Sequence, residues 1–239
     1  MMVKSAMVMA AGLGARLLPL TKDKPKPMVD FKGKKLIDHA LECLVQMPFE
    51  VIVVNTHYQR PSIQEHLQRY YPTVIESFEQ ERLETGGGVK NAMHYFSGDT
   101  ILVVNPDIVW LKGIKSAINT VLTAWNPDQM DCLLGLIPQD HFHINTSKGD
   151  YDFSKPPYIS WIASRQSAAF MQAGVYIIKL DQYNQIDQRY FSNKLLWDRI
   201  EQNNRLAGVT IDDHIFDIAC PESLEFACEH FEEYCHKPS

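Results

Sequence analysis

Apolar residues recur along the chain in two alternating patterns: short unbroken runs, and stretches in which they fall three and four residues apart. The first run covers 7–10 (Met7, Val8, Met9, Ala10) and stops at Gly12 and Gly14. Residues 34–46 then carry Ile37, Ala40, Leu41, Leu44 and Val45 at helical spacing, with Pro48 as the stop. Residues 50–55, EVIVVN, form a β-branched run with few polar positions, the mark of a strand covered on both faces in a parallel sheet. Pro61 opens the next helix at its favoured first position, with Ile63, Leu67 and Tyr70 on one side. A strand over 73–78 follows, and Glu84-Thr85-Gly86-Gly87-Gly88 reads as a glycine-rich turn leading into a helix with Val89, Ala92, Met93 and Phe96. Next come an apolar strand over 100–105 (TILVVN), ending at Asn105-Pro106-Asp107, a helix over 112–125 and a strand over 132–137.

Regular alternation of this kind predicts an α/β fold, with a mixed, mostly parallel sheet between helices in three αβα layers. Ligands of such sheets sit at the carboxyl ends of the strands, and residues 12–16, 84–88 and 105–107 all fall at those ends. Further along the pattern changes. Residues 138–157 form a polar stretch with His and Asp, long for a compact domain, which suits either a substrate flap or a tolerated insertion. Residues 158–163 and 170–179 read as strands flanking a turn, antiparallel additions on one side of the sheet. A helix over 191–203 (Leu195, Leu196, Ile200), strands over 206–211 and 215–218, and a closing helix over 221–235 with Leu224, Ala227, Phe231 and Tyr234 on its face complete the chain. With 239 residues and no internal repeat, residues 1–239 are expected to form a single domain.

Composition narrows the partners. At 45% hydrophobic and 22% charged residues the chain can fill a core, which excludes disorder. Its net charge of −6 argues against nucleic-acid or membrane-surface partners, so basic residues that meet phosphates must be clustered locally. They are, since seven of the 23 Lys and Arg lie between Arg16 and Lys35. Five cysteines, an odd number with no C-x-x-C pair, read as reduced and intracellular. Cys228 and Cys235, with His230 and His236 on the closing helix, read as core packing in preference to a metal site. The apolar run before Gly12 is too short for a signal peptide and no other run approaches a membrane span, so the cytoplasm is the expected location.

Chemistry concentrates in residues 7–29, MVMAAGLGARLLPLTKDKPKPMV. Glycines let backbone N–H groups approach anionic oxygens closely, and fixed cations beside them neutralise the charge. Three readings compete for this stretch. A dinucleotide fingerprint wants G-x-G-x-x-G, but Leu17 stands at the third glycine's place; the P-loop spacing G-x-x-x-x-G-K-[ST] is absent; a plain glycine turn is the third. Arg16, a planar and permanently charged fork, suits phosphate oxygens. Lys26, between Pro25 and Pro27, has little backbone freedom to lose on docking. Lys22 and Lys24 read as a solvated face. Asp107 ends a buried apolar strand, where a carboxylate is costly without a cation or donors; Mg²⁺ ligation and local capping of the turn are the two uses open to it. His57 reads as a hydrogen-bonded loop histidine, and His141 and His143 form an H-x-H pair without further ligands nearby.

Taken whole, G-x-G-x-R-x-x-P-L-T followed by P-K-P-M, over 12–28, resembles the signature of the sugar-1-phosphate nucleotidyltransferases. The resemblance implies their nucleotide-diphospho-sugar transferase fold, a Rossmann-like αβα sandwich. It also implies Mg²⁺-dependent transfer of a nucleoside monophosphate from a nucleoside triphosphate to a sugar 1-phosphate, with release of pyrophosphate. Catalytic roles fall by this resemblance to Arg16, Lys26 and Asp107. Nucleotide binding falls to Ala10, Ala11, Gly12, Leu13 and Gly14, and to Glu84, Thr85, Gly86 and Gly87, where small residues let backbone groups read the base edge. Sugar binding falls to Asn105, to Gly174 in Ala173-Gly174-Val175, and to Asn193 in Asn193-Lys194-Leu195-Leu196-Trp197-Asp198. Metal ligation falls to Asp107 and Asp217, the latter in Phe216-Asp217-Ile218-Ala219-Cys220-Pro221-Glu222. Pro106, Ala219 and Cys220 depart from the family pattern, and the Asn193 segment is one residue long. Residues 83–88, LETGGG, are most similar to N-acetylmuramate-1-phosphate uridylyltransferases of cell-wall recycling, which makes UTP and N-acetylmuramate 1-phosphate the expected substrates. Mannose-1-phosphate guanylyltransferase chemistry with GTP, and a non-catalytic nucleotide-sugar-binding relative, stay open. The C-terminal left-handed β-helix of many guanylyltransferase relatives is not expected, and the chain is expected to be a monomer or weak homodimer.

Overall fold

The computed structural model describes residues 3–143, 149–162 and 168–235. The chain runs through β1 (Ser5–Met9), the short ribbon β2 (Asp30–Phe31) and β3 (Lys34–Lys35), α1 (Leu36–Leu44), β4 (Val51–Thr56), α2 (Arg60–Tyr70), β5 (Ile75–Phe78), α3 (Glu84–Ala92) and β6 (Thr100–Val104). It continues through β7 (Ile108–Trp110), α4 (Ile114–Ala124), β8 (Cys132–Pro138), β9 (Phe142–His143), β10 (Tyr151–Lys155), β11 (Tyr158–Trp161) and β12 (Phe170–Lys179). Last come α5 (Asp181–Asn184), α6 (Asn193–Gln202), β13 (Leu206–Thr210), β14 (Ile215–Asp217) and α7 (Pro221–Cys235).

Among the described residues nine strands form one sheet in the order β10-β11-β13-β8-β12-β6-β1-β4-β5. Strands β6, β1, β4 and β5 are mutually parallel, as are β8 and β13, while β12 runs antiparallel to β6 and β8 on either side. The mixed, mostly parallel sheet is therefore as expected. Alternate residues of β1 face opposite layers: Ala6 and Val8 pack with Ile37, Ile63 and Ile118 of α1, α2 and α4, whereas Met7 packs with Val89 of α3 and Leu196 of α6. Helices thus cover both faces. No helix among the described residues is long and apolar enough to cross a membrane.

Three elements differ from expectation. Residues 170–179 are not an addition at the side, because β12 is inserted at the centre of the sheet. Ala173, Val175, Tyr176, Ile177 and Ile178 are all buried, and a strand apolar on both faces is stable only where both faces are covered. Strand β11 pairs instead with β10 and β13. Residues 138–157, expected as a loop, contain β9 and β10, the latter anchored by buried Tyr151 packed edge-on against Trp161. Residues 144–148 of the expected flap, and Ala163, lie outside the described residues.

The third difference is the glycine run, which forms the first turns of α3 and not a turn before it. Its glycines serve close packing. A Cβ on Gly86 would lie 2.4 Å from the Phe191 ring, and one on Gly87 would lie 2.3 Å from the carbonyl oxygen of Arg189. The segment leading into α6 therefore lies directly on the bare face of α3.

A second sheet, β7-β14-β9, is built at the carboxyl edge of the first. Beneath it Leu17, Val29, Phe31, Leu36, Val109, Phe216, Ile218 and Ala227 form a separate apolar cluster. This cluster joins the loop after β1 to β7, β14 and α7.

In an ordinary helix interior Gly→Ala gains about 1 kcal/mol. At Gly87 the new methyl group meets fixed backbone, so Gly87→Ala is expected to lose about 1–3 kcal/mol instead. Urea unfolding midpoints measure this, and a variant as stable as the parent would contradict the packing described.

Candidate active site

Strand β1 delivers its last apolar residue into a crevice at the carboxyl end of the sheet, and the loop that follows is held from several sides. The backbone N–H of Ala10 donates to Asn55 Oδ1 of β4 at 2.7 Å. Gly12 faces open space, with nothing within 4 Å of where a Cβ would stand. Gly14 has φ +63°, and a Cβ there would lie 2.9 Å from Lys26 Cβ and 3.0 Å from Thr21 Cγ2, so only glycine lets the loop fold back onto Lys26. Thr21 Oγ1 donates to the Gly14 carbonyl at 2.8 Å. Arg16 sits exposed on the 3-10 turn Ala15–Leu17, whose Leu17 is buried in the small apolar cluster. Leu13 projects outward, 40% exposed.

Buried Pro25 and Pro27 flank Lys26, which sits on a further 3-10 turn, Lys26–Met28. Its Nζ donates to Asp107 Oδ2 at 2.5 Å. Lys24 pairs with Asp30 at the surface, as a solvated cation would. Asp107 follows β6, and its carbonyl accepts from Ile218 N at 2.9 Å. That bond, with the antiparallel register placing Asp217 opposite Ile108, brings the end of β14 beside Asp107. Burial first, and then repulsion from Asp107, push the Asp217 carboxyl up to about 6 against the opposing pull of Lys26 and Arg16. Arg16, Lys26, Asp107 and Asp217 therefore share one electrostatic site.

The two carboxylates fit Mg²⁺. They supply hard oxygen donors, and burial together with the charge of Asp107 keeps the Asp217 carboxyl raised despite Lys26 and Arg16. Among the described residues no group of three or more His, Cys, Asp and Glu gathers into a metal cage. A carboxylate pair is nonetheless what Mg²⁺ uses when water and substrate phosphates complete its shell.

Next to these charges lies a pocket of about 250 Å³, lined by residues that include Ala11, Gly12, Thr85, Asn105 and Asp107. Asn105 N donates to the Gly174 carbonyl at 2.7 Å, and Gly174, at φ +72°, has no room for a Cβ against Ile108 and Asn105. These two sugar-side candidates are thus adjacent. Glu84 also lines the pocket, at φ +63°, a conformation unusual for a side chain with a Cβ. Arg82 pairs with it at 2.7 Å and the Tyr190 hydroxyl donates to it at 3.1 Å.

The backbone N–H groups of Gly86 and Gly87 are already bonded to protein. Both N–H groups donate to the Phe191 carbonyl, at 2.9 and 3.0 Å, so base reading by these groups gives way to packing against the 189–191 segment. Asn193 likewise has another use. At 2% exposure its side-chain amide donates to the Tyr176 hydroxyl and accepts from the Tyr183 hydroxyl, while its backbone N–H donates to Thr85 Oγ1 at 2.9 Å. It fixes α6 and orients Thr85 from behind.

Three pocket residues belong to no motif of the sequence: Asn55, Glu79 and Arg82. Asn55 and Glu79 stand at carboxyl ends of strands, the same signal that marks Asp107. His57 is the loop histidine expected, with Nδ1 2.9 Å from the Glu79 carbonyl oxygen. His141 and His143 stack on His214. Cys228 and Cys235 are exposed and not in the core, because the inward stripe of α7 runs through buried Ala227 and partly buried Leu224, Phe231 and Tyr234 and leaves them beside it. His236 lies outside the described residues.

The nucleotidyl transferase family model matches residues 5–138. N-acetylmuramate alpha-1-phosphate uridylyltransferase of Caulobacter vibrioides is 34% identical over 229 residues, covering 92% of this chain and 93% of that protein. D-glycero-alpha-D-manno-heptose 1-phosphate guanylyltransferase of Aneurinibacillus thermoaerophilus is 21% identical over 238 residues, 96% of this chain and 99% of that one. Among solved structures, HddC from Yersinia pseudotuberculosis complexed with GMP-PN matches with TM-score 0.75 at 25% identity, covering 96% of this chain and 100% of that chain.

Because the folded protein holds a proton on Asp217 more tightly than the unfolded chain, ionising it costs stability. The cost is absent below the unfolded carboxylate range near pH 3.8, grows as pH rises, and is complete above about 6. With chelator present, Asp217→Asn is therefore expected to stabilise the protein at pH 7.5 by on the order of 1–2 kcal/mol and to have no effect near pH 4. Thermal melts across this range decide it; equal stability at pH 7.5 would mean that burial and the charge of Asp107 do not disfavour ionised Asp217.

Proposed function

Because this chain belongs to the nucleotidyl transferase family, we propose that it transfers a nucleoside monophosphate from a nucleoside triphosphate to a sugar 1-phosphate, with Mg²⁺, giving a nucleotide sugar and pyrophosphate. UTP and N-acetylmuramate 1-phosphate are the preferred substrates, by likeness to the uridylyltransferase of Caulobacter vibrioides. The observation that carries the reading is the convergence of Arg16, Lys26, Asp107 and Asp217 beside the pocket.

An oxygen of the sugar phosphate attacks the α-phosphorus, a new P–O bond forms, and the bond to the β-phosphate breaks as pyrophosphate leaves. The nucleophile is already ionised, so no side-chain nucleophile or base is needed. Ala11, Gly12 and Thr85 seat the nucleotide, and the bare Cα of Gly12 lets phosphate oxygens come close. Arg16 grips and orients phosphate oxygens with its fork. Lys26, in a rigid Pro-Lys-Pro frame, offers its ammonium to the charge that develops on transfer. Asn105 and Gly174 form the sugar side. Asp107 and Asp217 would hold the Mg²⁺, which when bound neutralises charge on the phosphate oxygens. Phosphate oxygens that draw Lys26 away would free the Asp107 carboxylate, so substrate phosphates compete with the 2.5 Å ion pair.

A second reading with GTP has its own support: HddC, at 25% identity and matching 96% of this chain, was solved complexed with GMP-PN. A matrix of triphosphates against sugar 1-phosphates, with pyrophosphate detection, separates the two readings. No Mg²⁺-dependent release from any pair would sink both.

Asp107→Asn is expected to lower kcat at least about 100-fold with little change in triphosphate KM, whereas Arg16→Ala should raise KM and lower kcat together, by about 10–100-fold in kcat/KM. Near-normal steady-state constants in either would refute the assigned role. Gly12→Ala meets no protein atom within 4 Å and is expected to melt as the parent does while losing at least about tenfold in triphosphate affinity. Unchanged affinity would mean that no phosphate passes that position.

A further inference from the structure

Asn55 and Glu79 are each 1% exposed and belong to one hydrogen-bonded chain across the floor of the pocket. Ala10 N donates to Asn55 Oδ1 at 2.7 Å, Asn55 Nδ2 donates to Glu79 Oε1 at 2.7 Å, and Leu83 N donates to Glu79 Oε2 at 3.1 Å. The chain begins at the first residue of the loop after β1 and ends at the residue that opens α3. Those segments are the two lips of the pocket.

We propose that Asn55 and Glu79 are positioning residues of the nucleotide seat, whose bonded chain sets the gap between the Ala10–Gly12 loop and the first turn of α3. The proposal rests on the functional reading above. A buried amide and carboxylate are costly unless every polar atom is paired, and an apolar pair would fill the same space at less cost. What the polar pair adds is direction: each end holds a backbone N–H belonging to a lip, not to another strand. The link is also braced. Glu79 N donates to the Thr56 carbonyl at 2.8 Å, His57 Nδ1 lies 2.9 Å from the Glu79 carbonyl, and Asn55 is held in β4 between β1 and β5. From the third side Gly88 closes on it, since a Cβ there would lie 2.6 Å from Glu79 Oε1 and 2.8 Å from Asn55 Nδ2. Neither side chain is free to reorient without parting the loop from the helix.

The donor order supplies its own test. In Glu79→Gln the new amide cannot accept from both Asn55 and Leu83, and in Asn55→Asp two carboxylates face each other. In the double variant Asn55→Asp/Glu79→Gln all three bonds return with the middle one reversed: the residue-55 carboxylate accepts from Ala10 N and from the residue-79 amide, whose oxygen accepts from Leu83 N. Each single variant is expected to weaken UTP binding, measured by calorimetry, about tenfold while the KM for sugar phosphate stays within about twofold; the double variant is expected to return to within about threefold of the parent. Thermal melts on all four proteins separate folding from positioning. A double variant that regains the parent melting temperature but binds UTP tenfold more weakly overturns the proposal, as do single variants with parent-like UTP affinity. If the singles do not fold, the UTP affinity of the double variant against that of the parent decides by itself. A parent protein that binds no triphosphate and releases no pyrophosphate overturns the functional reading and this proposal together, whereas a parent that binds UTP and singles that bind it equally overturn only the proposal.

Discussion

A carboxylate withdrawn from water needs a cation, and the crevice at the carboxyl end of this sheet withdraws two of them side by side. Lys26 answers Asp107 directly at 2.5 Å. Asp217 has only the longer-range pull of Lys26 and Arg16 against its own burial and its neighbour's charge, so its carboxyl is pushed up to about 6. At Asp217 burial and the charge of Asp107 outweigh the pull of both cations, while Arg16 stays exposed. The crevice thus holds carboxylates that a cation would satisfy beside cations that an anion would draw.

The sheet alone does not produce this arrangement. Parallel strands β1 and β6 bring the loop of Arg16 and Lys26 to the end that carries Asp107. Asp217 arrives by a different route, on the small sheet in which β14 pairs with β7. The two routes are locked together by apolar packing: Leu17, next to Arg16, and Phe216, next to Asp217, lie in the same buried cluster. Hydrophobic contact, which has no preference of its own about charge, therefore sets how far a guanidinium stands from a carboxylate.

Much of this was legible in the amino-acid order because the relevant signals are local. A β-branched run followed by a polar residue marks a strand end, and strand ends of a parallel sheet share one edge; Asp107 and the Gly12 loop follow from that alone. What was not legible depends on contacts between distant segments. The central place of β12 rests on apolar residues facing both layers, and nothing local distinguishes such a strand from one at an edge. The glycines of α3 read as a turn because glycine usually marks one, whereas their use is set by Phe191 and Arg189 a hundred residues later. Asn193 departs from its expected place on the sugar side, and Asn55 and Glu79 stand in no motif, for the same reason: an Asn is a ligand or a structural bolt according to whether tyrosines or open space surround it.

Glycine is used at this site for two opposite purposes, and the difference explains why the reaction is easier to read than the substrate. Gly12 keeps space open, and Gly14, Gly86, Gly87 and Gly88 allow space to be closed by protein. Phosphate chemistry needs charge at strand ends, and charge is visible in the residue types themselves. Selecting a base or a sugar needs a pocket shape, and here that shape arises where the loop after β1, the start of α3 and the segment before α6 meet. Each of those contacts is made by a residue whose identity says little until its partner is known: Gly88 against Glu79, Thr85 against Asn193, Glu84 against Arg82 and Tyr190. Pocket shape here is consequently a property of pairs of segments, and changing one member of a pair alters the pocket while leaving the charged crevice intact.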